Sequence, residues 1–240
     1  AAPAPAGPPA WRVEAGPGGS VEIVAREAGG YSVRTPGGKA QRVEVPPVPG
    51  PVGIPGPWEV RFPAGWNAPE RIVLEKLISW PESADPGVRY FSGTAAYTAS
   101  FDLAPDLVQP GIDLVLDLGK VAVMAEVSVN GRDLGVLWKA PYRVDLAGAA
   151  QAGRNLIEIR VTNLWPNRLI GDARLPEDCE WDGDHLKRWP DWVREGKPSP
   201  AGRLTFTTWR HWRAGSTLLE SGLLGPVTVF PARRRSVRVR

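Results

Sequence analysis

Between Tyr97 and Leu103 every second residue is apolar: Tyr97, Ala99, Phe101 and Leu103. Ile112, Leu114, Leu116 and Leu118 repeat the pattern. A period of two puts all four side chains on one face of an extended chain, so each run predicts a half-buried β-strand. Shorter apolar runs at 58–62, 72–74, 121–129, 134–138, 142–146, 156–162, 204–208 and 227–230 read the same way. Asn130-Gly131 sits between two of them, and both residues tolerate positive φ, which predicts a tight hairpin. The 240 residues include 27 glycines and 26 prolines, a content that excludes a helical bundle or coiled coil. The expected fold is all-β: a two-sheet sandwich of jelly-roll type over residues 58–232.

The flanking segments read differently. Residues 1–45 begin as an Ala/Pro-rich linker and continue as a small β-meander, with runs at 21–25, 31–34 and 41–45. Gly-Gly pairs at 18–19, 29–30 and 37–38 punctuate it. Such a meander is too small to be stable alone, so it is the end of a preceding domain or an extra sheet packed on the main domain. Residues 46–57 form a Pro-rich linker, where a boundary is expected. Residues 233–240 are a basic tail holding Arg233, Arg234, Arg235, Arg238 and Arg240, enough to account for the formal net charge of +3. A body without a basic face argues against a nucleic-acid partner, so the tail reads as a strand edge or an end meeting another segment. No apolar run reaches membrane-spanning length, and no secretory leader is visible, which suits a processed chain or an internal piece of a longer one.

From Asn163 to Arg203 the strand rhythm lapses. A long irregular loop on a compact sandwich is functional or disordered, and Trp165, Trp181, Trp189 and Trp192 argue against disorder. A short helix interrupted by Pro190 is expected over 185–195. Asp172, Glu177, Asp178, Glu180, Asp182 and Asp184 gather hard oxygen ligands of a kind that suits Ca2+ or Na+, with Asp172, Asp182 and Asp184 as the metal candidates. The alternative is a solvated acidic loop, or ion pairs to Arg168, Arg174 and Arg188. Cys179 lies in an acidic context and reads as a plain thiol. No nucleophile motif and no phosphate-binding loop are present, so no catalytic residue is assigned. Carbohydrate binding fits better, because sugar C–H faces stack on tryptophan while hydroxyls seek Asn, Asp and Arg. Trp165, Asn167, Arg168 and Asp172 place those types together. Trp58, Trp80 and Trp209 are expected in the core, Trp138 in either role.

The 116–119 run, the segment from Val127 to Gly131, Leu134-Gly135, Trp138, Pro141-Tyr142, Asp145 and the alternation Gly153, Asn155, Ile157, Ile159, Val161 resemble the sugar-binding jelly roll of glycoside hydrolase family 2, the galactose-binding-like fold. The stretches 90–95, 161–172 and 221–227 resemble the C-terminal β-sandwich of large α-L-rhamnosidase-type proteins, glycoside hydrolase family 106 and similar. In those enzymes a separate barrel carries the catalytic carboxylates, and this chain is too short for one. The resemblance therefore implies a non-catalytic, carbohydrate-associated module, with the catalytic domain of the same parent protein as its partner. The ligand it implies is a plant or microbial glycan, rhamnose-containing in the narrower reading, and the location extracellular or periplasmic. It also implies that the loop after the 153–162 strand reaches a neighbouring active site and helps hold sugar or a cation. The ligand-binding candidates are then Trp165, Asn167, Arg168, Asp172, Trp138 and Trp181, with the alternative that Arg168 and Asp172 are a structural pair locking the base of the loop. A purely structural spacer, or a self-contained enzyme using the acidic 172–184 loop, are the alternatives.

Overall fold

The computed structural model describes residues 7–34 and 40–237. The Gly-Gly pair at 37–38, residues 1–6 of the expected linker, and Arg238 and Arg240 of the expected tail lie outside the described residues. Along the chain run β1 (Trp11–Ala15), β2 (Val21–Ala25), β3 (Gly29–Arg34), β4 (Ala40–Val45), β5 (Val52–Gly53), β6 (Trp58–Arg61) and β7 (Arg71–Leu74). A 3-10 turn (Trp80–Glu82) and α1 (Pro86–Arg89) precede β8 (Thr94–Leu103), β9 (Ile112–Asp117), β10 (Lys120–Ala122), β11 (Met124–Val129) and β12 (Arg132–Leu137). After β13 (Arg143–Asp145) and β14 (Gly153–Thr162) come α2 (Pro166–Asp172), β15 (Trp181–Asp182), β16 (His185–Leu186), α3 (Asp191–Arg194), β17 (Gly222–Gly225) and β18 (Thr228–Val237).

Two antiparallel sheets face each other. One has the order β1-β2-β18-β9-β13, with β5 also on β18; the other is β12-β11-β14-β8-β6-β7. Between them Leu114, Leu116 and Val229 of the first sheet meet Tyr97, Phe101, Val127, Ile157 and Ile159 of the second in one core. The expected alternation holds in β8, where Ala95, Tyr97, Ala99, Phe101 and Leu103 are buried, and in β14 with Ile157, Ile159 and Val161. Asn130 and Gly131 take φ 52° and 78° at the β11–β12 turn. Asn130 Nδ2 also donates to Ala149 O and Asn155 Oδ1, tying the turn to the start of β14. The protein is an all-β sandwich.

The structure departs from the sequence reading at both ends. β2 pairs along its whole length with the second half of β18, Val21 opposite Val237 and Ala25 opposite Arg233. Residues 11–25 are therefore strands of the main sheet, and 233–237, set apart as a basic tail, form a strand that meets another segment, as the strand-edge reading expected. The supposed linker contributes β5, and Ile54 is buried in the core. Within residues 1–45 the β3–β4 hairpin forms its own two-stranded sheet, covering Ile23, Ala25 and Val237 with Val45, Tyr31, Val33 and Val43. Arg234 explains why a strand was hidden in a basic run. On one face it meets Asp113 through two nitrogens, plus Glu14 and Glu22, so its charge is matched by the neighbouring strands. The run 204–208 forms no strand, and the helix expected over 185–195 is confined to Asp191–Arg194, capped by Pro190 after the two-residue β16.

Candidate functional site

Asn163, just past β14, anchors the long excursion. Its Nδ2 donates to Phe91 O and Ser221 Oγ, and its Oδ1 accepts from Gly93 N at 2.8 Å. Helix α2 comes next. Pro166 at its first turn has the fixed φ a helix start accepts. Gly171 is required by close packing: a Cβ there would sit 2.7 Å from Tyr90 Cβ and 2.5 Å from Arg168 Nη2. The buried Asn167 donates to Leu219 O at 2.7 Å and Ser221 Oγ at 2.9 Å, and accepts from Leu219 N at 2.8 Å. The loop is thus stitched to the segment just before β17.

One helical turn apart, Arg168 and Asp172 form a buried pair, with Nη2 2.9 Å from Oδ1. Asp172 Oδ2 accepts from Leu204 N, Thr205 N and Thr205 Oγ1 at 2.7–2.9 Å. Those backbone bonds go to a carboxylate instead of a strand partner, which keeps Leu204 and Thr205 out of any strand. Of the sequence candidates, Asn167, Arg168 and Asp172 are therefore used inside the protein: a sugar or an ion would have to displace these internal bonds to reach them. The three metal candidates are not brought together either. Asp184 pairs with Arg213, and Asp182 lies on β15. Among the described residues, Glu177, Asp178 and Cys179 are the acidic or thiol side chains whose ligand atoms cluster within 4.8 Å. Asp178 there accepts from Arg203 Nε at 2.7 Å and from Ser199 Oγ. Burial, then the Asp178 carboxylate, pushes the Cys179 thiol up to about 11, so it stays protonated at neutral pH.

A concave feature of this region lies between the β15–β16 hairpin and residues 203–214. His185 bridges to Trp209, and Leu186 N donates to Thr208 O, which joins the two walls. They enclose a cleft of about 240 Å³ floored by Leu169, Ala173 and Thr205. Trp181, Phe206, Trp209 and Trp212 supply its aromatic surface, and Arg203, Arg210, Arg213 and Glu177 its charge. Arg210 lies with its guanidinium carbon 4.3 Å over the Trp181 ring and pairs with Glu177. Trp181 Nε1 is buried with no hydrogen-bond partner among the described residues.

The remaining tryptophans separate by role. Trp58 and Trp80 are fully buried, as expected. Trp209, expected in the core, is 56% exposed; it stacks on His185 at 6.3 Å and 6°, on the rim of the cleft. Trp165 is 54% exposed and leans on Trp66 at 5.5 Å, outside the cleft lining. Trp138 is exposed beneath Lys139 after β12, also outside it. Trp181 alone of the ligand candidates lines the cleft. Sequence reasoning missed Arg203, Phe206, Arg210, Trp212 and Arg213. The signal was the run Thr208-Trp-Arg-His-Trp-Arg213, too polar for a buried strand and too aromatic for an ordinary turn.

No family model matches the chain. A putative β-glucuronidase of Formosa agariphila is 42% identical over 211 residues, covering 88% of this chain and 18% of that protein. The solved structure of a rhamnosidase from Novosphingobium sp. PP1Y aligns with TM-score 0.63 and 32% identity, over 89% of this chain and 21% of that one. The chain spans about a fifth of the length of each.

Proposed function

We propose that the chain is a non-catalytic, carbohydrate-associated module of a larger, α-L-rhamnosidase-like glycoside hydrolase. A separate catalytic domain of the same parent protein would hold the acid and base, and the parent would act on plant or microbial glycans outside the cytoplasm. The observation that carries this reading is the rhamnosidase segment that shares the fold across nearly nine-tenths of this chain. The cleft supports it: aromatic faces beside charged donors, raised on a rigid sandwich, suit saccharide contact.

The test uses the purified chain. Aryl rhamnosides and aryl glucuronides are expected to survive incubation with it, while glycan addition quenches tryptophan fluorescence. Turnover by the chain itself would overturn the reading. A spacer role is the second reading, favoured by the internal use of Asn167, Arg168 and Asp172. In the parent enzyme it expects Trp209→Ala and Trp212→Ala to leave kcat/KM unchanged.

A further inference from the structure

We propose that the Trp181–Arg210 cleft receives an anionic saccharide unit, its carboxylate or sulfate ester held by the Arg210 guanidinium. The inference rests on the carbohydrate-associated reading and narrows it to a ligand class. Three guanidiniums reach the cleft, and they are not equivalent. Arg203 is locked behind it by the buried carboxylate of Asp178, both side chains nearly inaccessible. Arg213 and its partner Asp184 are both about half exposed, so solvent screens their pairing. Arg210 combines fixed placement with access. Its side chain is 28% exposed and its plane is backed by the Trp181 ring, yet its carboxylate partner Glu177 is 48% exposed.

A guanidinium stacked on an indole keeps its N–H edge free and fixed in direction, which is the geometry for two-point recognition of a carboxylate or sulfate. Exposed ion pairs contribute little, so an incoming anion can take the place of Glu177 at small cost. Trp209 and Trp212 then face the sugar ring. The lining carries Arg203, Arg210 and Arg213 with Glu177; Asp178 and Asp184 pair Arg203 and Arg213, which leaves Arg210, held by the half-exposed Glu177, as the guanidinium open to exchange, and Cys179 carries no charge at neutral pH. The cleft is smaller than pockets for drug-sized ligands, which are roughly 300–1,000 Å³, so it suits one sugar unit rather than a chain.

The experiment titrates the 240-residue chain with methyl β-D-glucuronide, methyl α-D-galacturonide and D-glucose 6-sulfate. Methyl β-D-glucoside and methyl α-D-galactoside are the neutral counterparts, and saturation-transfer NMR reads the binding. At least one acid is expected to bind about tenfold tighter than its neutral counterpart, and the uronide and sulfate arms identify which anion is preferred. Arg210→Gln removes that preference. Glu177→Gln strengthens acid binding several-fold by vacating the guanidinium, a gain that damage to the fold would not produce. Equal binding of acid and neutral sugars, binding of none of the acids, or an acid preference that survives Arg210→Gln each overturns the inference. Equal binding would leave the carbohydrate-associated reading standing, whereas glycoside turnover by the chain would remove that reading first.

Discussion

Trp80 Nε1 donates to Tyr97 Oη at 2.6 Å, with the two rings stacked 6.4 Å apart and 10° from parallel. The same hydroxyl accepts from Leu223 N at 3.2 Å, so one oxygen satisfies two buried donors from separate segments. Burial holds the phenol far above its ordinary pKa, so it is neutral at physiological pH. Tyr97→Phe keeps the ring and orphans both donors; a loss of about 1–3 kcal/mol is expected from the urea midpoint. Gly222→Ala strikes the same spot from the other side. Its Cβ would lie 2.6 Å from Tyr97 Oη at a φ of +95°, and a loss of about 1–3 kcal/mol or more is expected. An unchanged midpoint in both variants would show that this junction of β8, the 3-10 turn and β17 adds nothing to stability.

Ser221 Oγ is shared by the amides of Asn163 and Asn167 and donates to Leu219 O. Ser221→Ala leaves two buried amide donors short of a partner, for about 1–3 kcal/mol. Hydrogen exchange should rise in α2 and at Leu219 more than in β8 or β14. Uniform exchange across the protein would contradict the role of Ser221 as the local tie.

The Arg168–Asp172 pair predicts unequal single variants. Asp172→Asn leaves a buried guanidinium uncompensated and weakens the anchor of 204–205, for about 3–5 kcal/mol. Arg168→Met leaves a carboxylate that still accepts three hydrogen bonds from Leu204 and Thr205, so its cost is smaller. In a double-mutant cycle the combined variant should be less destabilised than the sum of the two. Strict additivity would mean that the two side chains are not energetically coupled.

Cys179 should be a slow thiol. With its pKa raised to about 11, folded protein at pH ~7.5 should react with iodoacetamide more than about tenfold slower than the unfolded chain. The rate should climb as the pH approaches that value. Fast labelling at neutral pH would place Cys179 in a different environment.

Arg234 gives a pH-dependent prediction. Glu14 is held below the ordinary carboxylate range, first by its hydrogen bond from Arg12 and then by Arg234. A depressed native pKa contributes stability that is present above the ordinary value and lost as pH falls through the lowered one. Arg234→Met should therefore cost about 1–2 kcal/mol near pH ~6, and the Tm gap to wild type should close below roughly pH 4. A gap that stays constant into acid would assign the loss to packing instead.

The sandwich was legible wherever one face of a strand is polar and the other apolar, as in β8 and β14. It was hidden where long-range partners neutralise what a strand displays. The arginines of β18 read as a tail because Asp113, Glu22 and Glu14 lie more than a hundred residues away in sequence. In the loop, residue types are legible in the sequence but do not decide between a ligand contact and the alternative of an Arg168–Asp172 structural pair, which is the arrangement the structure has. Asn167, Arg168 and Asp172 have the chemistry of sugar contacts, yet the helical spacing of Arg168 and Asp172 turns them inward, onto each other and the backbone. The cleft side chains 203–213 come from a segment whose path is set by the Asp172 carboxylate, a constraint that no local pattern encodes.

The order in which the ribosome delivers the strands adds a constraint on birth rather than on stability. β18, between β2 and β9, is central to its sheet but is made after both of them. Until residues 228–237 emerge, β2 and β9 each offer a bare backbone edge, and Leu114, Leu116 and Ile23 lack the strand that completes their sheet. Between the emergence of β2 and that of β18, about two hundred residues later, this sheet is open to mispairing. The sheet closes only when β18 pairs with β2 and β9, a long-range step of the kind that slows folding.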